Sequence, residues 1–509
     1  MTAQAGPRGF TPSVKRGVVT IFIMMATIMQ VLDITIANVS LPYMQGSLSA
    51  TLDQVSWVLT SYVVAAAVMT APVGWLATRF GIKRVMLVCV IGFTLASMLC
   101  GVAQSIEEMV LFRVLQGMCG AALVPLSQAT MLEIYPPEKR GWAMSLFGMG
   151  VMIGPIMGPI LGGFLTEYYS WRWVFFINLP VGVVTAFGIL TFMQDTQSNR
   201  RLAFDWLGFA ALSISIGALQ LMLDRGEQLG WFDSNEIVLM AVVSAVGFYF
   251  FLAHALTAAQ PFISMEIFRD RNFIVGLAFM FVSGVMLLAT MALMAPMLQG
   301  LMGYPIIDAG LLLGTRGAGM AVSMLFTGRL MTFIDTRLLL LAGLSCCVVS
   351  LYFSMDFTLD TTMRTIAWVS MLQGLGLGFM FVTLNTIGLS TVPPALRTQA
   401  TAMWTLIRNL GSSIGVSVVI ANLTNKTIMM HAHLAESVTP FSQAMADPAA
   451  AMLDPNTDTG RALLENLITQ QASVIAYAND FKLMMVATLL AFPLILLIRT
   501  GRNDFAASR

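Results

Sequence analysis

Apolar runs of about 20 residues recur along this chain, each bounded by short clusters of charged or turn-forming residues. They lie near 17–41, 55–77, 84–104, 108–132, 142–166, 172–194, 204–223, 236–256, 272–294, 306–331, 337–356, 365–390, 399–424 and 477–498. A run of that length matches a helix crossing a hydrocarbon core about 30 Å thick, so the pattern predicts fourteen transmembrane helices. An even number puts both termini on one side. Most polar stretches between the runs are short: Asp195–Ala203 and His254–Arg271 on one face, Leu223–Glu236 on the other. Asn425–Ala476 is the exception, a stretch of about fifty residues expected outside the membrane, with helix-like segments such as Arg461–Ala476.

The pattern also repeats. Leu115-Gln116-Gly117, Pro136-Pro137, Arg140, Ala143, Gly154 and Gly158 recur 257 positions later as Leu372-Gln373-Gly374, Pro393-Pro394, Arg397, Ala400, Gly411 and Gly415. A fixed offset across more than forty residues marks two copies of one helical unit. Spans 1–6 (17–195) and 9–14 (271–498, with the outer loop 425–476) form the copies. Spans 7 and 8 (196–270) form an inserted hairpin, and 1–16 and 499–509 are terminal tails. Both copies run in the same direction, because an even number of spans separates them. Two such halves suit a transporter with a site at their interface.

Composition agrees. Of 509 residues 57% are hydrophobic and 10% charged, with a mean hydropathy of +0.80, whereas soluble domains carry about a quarter charged residues. A net charge of +1 implies no nucleic-acid partner. The five cysteines sit in apolar runs without metal-ligand spacing. Thirty-nine methionines supply either ordinary packing or a pliable pocket. With a cytoplasmic N-terminus, eighteen Lys and Arg face the cytoplasm and six the other side, which satisfies the positive-inside rule. The first run is too long for a signal peptide and lacks a small-residue cleavage site.

Gly74-Trp-Leu-Ala-Thr-Arg79-Phe-Gly81-Ile-Lys83-Arg84 resembles the cytoplasmic loop signature of the major facilitator superfamily, and Arg113-Val-Leu-Gln116-Gly117 its fourth-span signature. Gly150–Gly163, with Gly154-Pro155, Gly158-Pro159 and Gly162, resembles the fifth-span signature of its antiporters. Leu32-Asp33-Ile-Thr35-Ile-Ala-Asn38-Val-Ser-Leu-Pro42 and Trp171–Pro180 resemble the fourteen-span drug:proton antiporters, especially the EmrB-like multidrug exporters. The resemblance covers Gly17 to Arg499. It implies an all-α fold of two six-helix bundles plus the inserted hairpin, a proton gradient as energy source with no cofactor, and a periplasmic adaptor with an outer-membrane channel as partners. One departure is Thr78, where the loop signature usually carries Asp; the basic cluster Arg79, Lys83 and Arg84 then serves as a topological anchor.

Ionisable groups deep in a membrane are costly and mark function. Asp33 is the only acid expected well inside a span, and Arg113, Arg316 and Arg408 are the internal bases. At about 1.5 Å rise per residue, Asp33 lies about 12 Å and Arg113 about 8 Å below the same surface, so contact is expected. The repeat puts Thr290 and Ser370 in their places, so the second half has no equivalent. Desolvation favours a neutral carboxyl, while a neighbouring guanidinium or bound cation favours the ion. A group under both pulls can load a proton in one conformation and release it in another; the alternative is a static pair. One charge crossing about 100 mV gains about 2.3 kcal/mol.

The stripe Gly154, Pro155, Gly158, Pro159 and Gly162 is a candidate hinge or a tight helix contact. Candidate cavity liners are Gln30, Thr35, Asn38, Gln116, Gln128, Asn178, Gln373, Asn385 and Arg408. Phe147 and Trp404, also related by the offset, could clamp a flat ligand. His431 and His433 have no third metal ligand in view and read as a helix face. The leading function is proton-coupled export of hydrophobic or amphipathic compounds. With three internal arginines against one acid, export of fatty acids or another amphipathic metabolite is the alternative. A channel lacks a filter-like segment, and an enzyme lacks a nucleophile–base pair or metal cluster.

Overall fold

A computed structural model of the chain describes residues 12–194, 203–258, 261–437 and 457–498. The terminal tails, most of the connector Asp195–Ala203 and the middle of the outer stretch fall outside these residues. The helices are α1 (Pro12–Ser47), α2 (Leu52–Thr70), α3 (Val73–Phe80), α4 (Ile82–Val102), α5 (Ile106–Gly120), α6 (Leu123–Ile134), α7 (Arg140–Tyr168), α8 (Trp173–Phe176) and α9 (Asn178–Phe192). A hairpin follows, α10 (Trp206–Arg225) and α11 (Asn235–Thr257). The second half comprises α12 (Arg271–Pro296), α13 (Ile306–Leu330), α14 (Thr336–Ser354), α15 (Met363–Ser390), α16 (Arg397–Ser437) and α17 (Asp458–Leu489). Among the described residues thirteen helical segments are long and apolar enough to cross a membrane. The pair α2 and α3, bent by 55°, makes a fourteenth. Pro72 lies at that bend, where its missing N–H interrupts the hydrogen-bond ladder.

Short polar residues start the apolar helices. Thr51 and Gln54 form a reciprocal capping box on α2, and Ser105, Asp205, Asp270, Thr362 and Thr457 accept from first-turn N–H groups of α5, α10, α12, α15 and α17. Gly81, at φ +88°, makes the turn between α3 and α4.

The internal repeat is visible in the packing. α1 lies on α7 as α12 lies on α16; α2 on α5 as α13 on α15; α4 on α9 as α14 on α17. The repeated Leu-Gln-Gly has one physical meaning in both copies. Gln116 donates to Asp33 at 2.8 Å, and Gln373 donates to Thr290, the residue 257 positions after Asp33, at 3.1 Å. Next to them Gly117 lets α5 sit on the α2 backbone at Tyr62, and Gly374 lets α15 sit on the α13 backbone at Arg316.

The halves meet along α7 and α13 and where α16 crosses α2, α3 and α6. At the end carrying the α3–α4, α6–α7 and α15–α16 connections the approach is close. Gly141 backs onto Gly328, Gly148 onto Met324, and a Cβ on Gly74 would come within 2.7 Å of the Gln399 Cα. At the other end the hairpin bridges the halves. Gln220 of α10 donates to Ser413 of α16 at 2.9 Å, Ser417 donates to the Leu223 carbonyl at 2.7 Å, and Thr60 of α2 donates to Asp224.

The outer stretch differs from expectation. α16 continues without a break to Ser437 and α17 begins at Asp458, so spans 13 and 14 extend as helices beyond the apolar runs. His431 lies 2.9 Å from Glu465 across the two extensions, which places it between helices.

The stripe on α7 is a contact surface with α1. A Cβ on Gly154 would lie 2.8 Å from the Val31 carbonyl carbon, and one on Gly158 2.7 Å from the Thr35 Cβ. Thr35 also donates to the Gly154 carbonyl at 3.0 Å. Gly154→Leu is therefore expected to lower stability by about 1–3 kcal/mol through overpacking, whereas Gly163→Ala, with nothing within 4 Å, leaves it unchanged. Thermal melts in detergent check this; equal melting temperatures for the two variants would refute the contact.

Candidate functional site

The N-terminal bundle encloses a charged centre. Asp33 of α1 and Arg113 of α5 are both 0% exposed, with Nη1 donating to Asp33 Oδ2 at 2.6 Å. The other carboxylate oxygen accepts from Gln116 Nε2 at 2.8 Å and from Asn178 Nδ2 of α9 at 3.0 Å. Arg113 is held from the remaining sides: Nη1 also donates to Gln116 Oε1 at 2.7 Å, and Nε to the Val58 carbonyl of α2 at 2.9 Å. The guanidinium lies 4.2 Å from the centroid of the Tyr62 ring, a cation–π contact, and its Nη2 is buried without an acceptor. Asn178 also donates to Ser97 of α4 at 2.9 Å. Five helices thus converge on one ion pair, the arrangement that offsets the cost of burying two charges.

Asp33 and Arg113 thus meet at the depth expected from sequence. Asp33 is sealed inside the N-terminal bundle, and Gln116 and Asn178, expected as cavity liners, are its ligands. Gln373 is likewise committed to Thr290 inside the second bundle. A buried amide takes the nearest partner rather than an open wall, because an unmade hydrogen bond there costs about 1–3 kcal/mol.

Other candidates do reach the interface. Gln128 of α6 donates to Asn385 of α15, the residue 257 positions later, so the two repeat mates touch. Asn385 donates to the Phe381 carbonyl at 2.7 Å. Phe147 stacks on Phe381, centroids 6.5 Å apart, and Trp404 packs on Phe273 at 5.7 Å. Phe147 and Trp404, expected as a clamp for a flat ligand, each pack on a different helix of the second half. Asn38 is exposed, and Gln30 is buried with Oε1 unpartnered.

Arg316 of α13 and Arg408 of α16 stand apart. Neither has a hydrogen bond or ion pair among the described residues, although Arg316 is 5% exposed. Arg316 lines a small cavity between the halves with Met152, Ile156, Leu287, Met291 and Leu313. Thr78 donates to the Gly74 carbonyl of its own helix at 2.8 Å, so the acid missing from the loop signature is not replaced. Arg79 instead lies over Trp75 and Phe80, Lys83 is half-buried and Arg84 exposed. Trp75 donates to the Ala203 carbonyl at 3.0 Å.

One acid escaped the sequence reading. Asp480 of α17 is 0% exposed and accepts from Asn422 of α16 at 2.6 Å. Its run appeared to begin only at residue 477, which placed it at a span end.

The chain is similar to known proteins in sequence and fold. The family model described as Major Facilitator Superfamily matches residues 23–416. The Escherichia coli K12 "Multidrug export protein EmrB" is 37% identical over 428 residues, covering 84% of this chain and 83% of that protein. The Neisseria gonorrhoeae "Fatty acid resistance protein FarB" is 34% identical over 484 residues, covering 94% and 96%. Among solved structures, the human organic anion transporter MFSD10 superposes with a TM-score of 0.61 at 12% identity, over 94% of this chain and 99% of that one. The proton:xylose symporter XylE gives 0.59 at 12%, over 94% and 95%. With its repeated six-helix halves and these matches, the chain belongs to the Major Facilitator Superfamily, among the relatives of the EmrB multidrug export proteins.

Proposed function

We propose that this protein is a proton-driven antiporter that exports hydrophobic or amphipathic compounds across a bacterial inner membrane by alternating access, with both termini in the cytoplasm. The carrying observation is the Asp33–Arg113 centre. The two halves repeat their helix pairings and even the Gln116–Asp33 and Gln373–Thr290 bonds, yet only the first half holds a carboxyl there. A fold does not need that asymmetry; a proton carrier does. The conformation, closed where Gly141 meets Gly328 and Gly74 meets Gln399, corresponds to a state shut toward the cytoplasm. Rocking the halves would disturb α2 and α5, which both grip Arg113, and so change the proton affinity of Asp33. In this reading the glycine stripe of α7 is the surface on which α1 slides, and transport rather than enzymatic turnover is the activity.

A second reading concerns cargo. Arg316 and Arg408 place two unpaired guanidiniums in the second half, and an unpaired buried charge is costly without a counter-ion. An amphipathic acid would supply it, with its tail against Met152, Ile156 and Met291. The fatty-acid resistance relative is consistent with that class. The helical extensions of α16 and α17 offer a surface for a periplasmic adaptor, so the protein would act as the inner-membrane subunit of a tripartite pump with an outer-membrane channel.

Asp33→Asn, which leaves Arg113 unpaired at a cost of about 3–5 kcal/mol, is expected to abolish proton-driven export per molecule of inserted protein; full substrate-driven proton flux by that variant, at matched protein amount in reconstituted vesicles, would remove Asp33 from the mechanism. Arg316→Gln is expected to lower export of fatty acids about tenfold, a loss of about 1.4 kcal/mol, with little change for neutral dyes. Equal effects on both classes in a vesicle uptake assay would count against the anionic cargo.

A further inference from the structure

Asp480 is a titratable group that the exchange mechanism above does not use. It sits on α17 where α16, α12 and α14 pack against that helix. Its Oδ1 accepts from Asn422 Nδ2 at 2.6 Å, and its Oδ2 is buried without any partner. The side chain is 0% exposed.

The neighbours decide its charge. Among the described residues no cation forms an ion pair with it. On the same helix the interacting titratable group is Tyr477, a neutral phenol about one turn away. The cations are Arg461 and the exposed Lys482 on α17 itself, Arg397, Arg408 and Lys426 on α16, Arg271 on α12, and Arg337 on α14, which is committed to the Ile498 carbonyl at 3.1 Å; none of them is ion-paired with Asp480. The cysteines and tyrosine of α14 bring no positive charge. The turns at Met297–Leu301 and Phe492–Leu497 carry no ionisable side chain. An ionised carboxylate sealed among apolar side chains with a single neutral donor pays a large desolvation penalty, which favours the neutral form. The contrast with Asp33 is direct: that carboxylate has a guanidinium and two amide donors on its oxygens.

Its position is also informative. Met484, about one turn along α17, accepts from Thr290 at 3.9 Å. Thr290 is the register equivalent of Asp33, so Asp480 lies about 6 Å along the axis from the layer that holds the first carrier.

We propose that Asp480, held by Asn422, is a second proton-binding carboxyl, located in the C-terminal half and loaded with its proton in the conformation seen here. This rests on the proton-exchange reading above. When the second bundle moves and α16 shifts against α17, the Asn422 bond and the seal change and water reaches the carboxyl. The O–H bond on Oδ2 then breaks, its electron pair stays on the oxygen and the proton leaves to water. The two halves would thus carry carboxyls in opposite states, Asp33 ionised and paired while Asp480 is neutral.

Infrared H/D difference spectroscopy on the full chain reconstituted in lipid tests the protonation directly. The C=O band of a buried protonated carboxyl is expected in the wild type and in Asp33→Asn, and to be lost in Asp480→Asn. A band that survives Asp480→Asn unchanged, or is absent from the wild type, overturns the proposal. In vesicles, Asp480→Asn is expected to move about one proton fewer per substrate exported, with export retained. An unchanged proton-to-substrate ratio overturns its role as a carrier. Absence of any substrate-driven proton flux in the wild type would overturn the exchange reading instead, and the infrared band would still report the state of Asp480. Asn422→Asp, which keeps the shape at that position, is expected to shift the pH at which the band disappears; no shift would contradict the role given to Asn422.

Discussion

A polar group inside a bilayer has no water to fall back on, so it must find its partner within the protein. The Asp33–Arg113 contact at 2.6 Å is where this constraint is met most fully. Two opposite charges, a stacked ring, two amides and a backbone carbonyl close around one point, and five helices of the first half supply them. Removing one charge of such a pair costs about 3–5 kcal/mol, far more than the pair contributes over an apolar substitute. The pair is therefore a poor device for simple cohesion. Glycine-mediated approach, as at Gly117 on α2 and Gly158 on α1, achieves cohesion in the membrane without burying charge.

Much of this was legible in sequence because the physics involved is periodic or one-dimensional. Hydrophobic run length gave the fourteen spans, and a constant offset of 257 gave the two copies and the shared register of Gln128 and Asn385, whose contact only the structure shows. Depth counted in residues placed Asp33 beside Arg113. What failed needed azimuth, the direction a side chain leaves its helix, which a register cannot supply. Gln116, Asn178 and Gln373 turn inward within their bundles rather than toward the interface. Phe147 and Trp404 share a register and different neighbours. Asp480 is hidden in sequence by a hydropathy boundary: polar residues such as Asn479 and Lys482 flank it, so the apolar run starts beside it although α17 begins at Asp458.

The inserted hairpin shows how an addition can be absorbed without breaking the pseudo-symmetry. α10 lies between α2 and α16 and bonds to both, through Asp224 on one side and the Leu223 carbonyl on the other. At the opposite end, the residues leading into it, Ala203 and Phe204, cover Trp75 in the loop signature. The extra pair of spans thus touches both ends of the moving interface. Thr78, turned back onto its own helix, leaves no acid in that loop segment to tie the halves, and packing of Gly74 on Gln399 takes that place.

Charge accounting across the membrane then separates the cargo classes. A monocation exchanged for one proton moves no net charge, so the membrane potential contributes nothing to its export. A monoanion leaving while a proton enters moves two charges in the favourable sense, about 4.6 kcal/mol at about 100 mV. Arg316 of the second half brings a positive charge to the cavity between the halves, among apolar side chains. An anionic amphiphile completes that charge pattern and draws on both components of the proton gradient. A monocation in that cavity would meet the Arg316 guanidinium and draw on one component only. If the cargo is the amphipathic acid proposed above, the charge of Arg316 and the membrane potential act in the same direction.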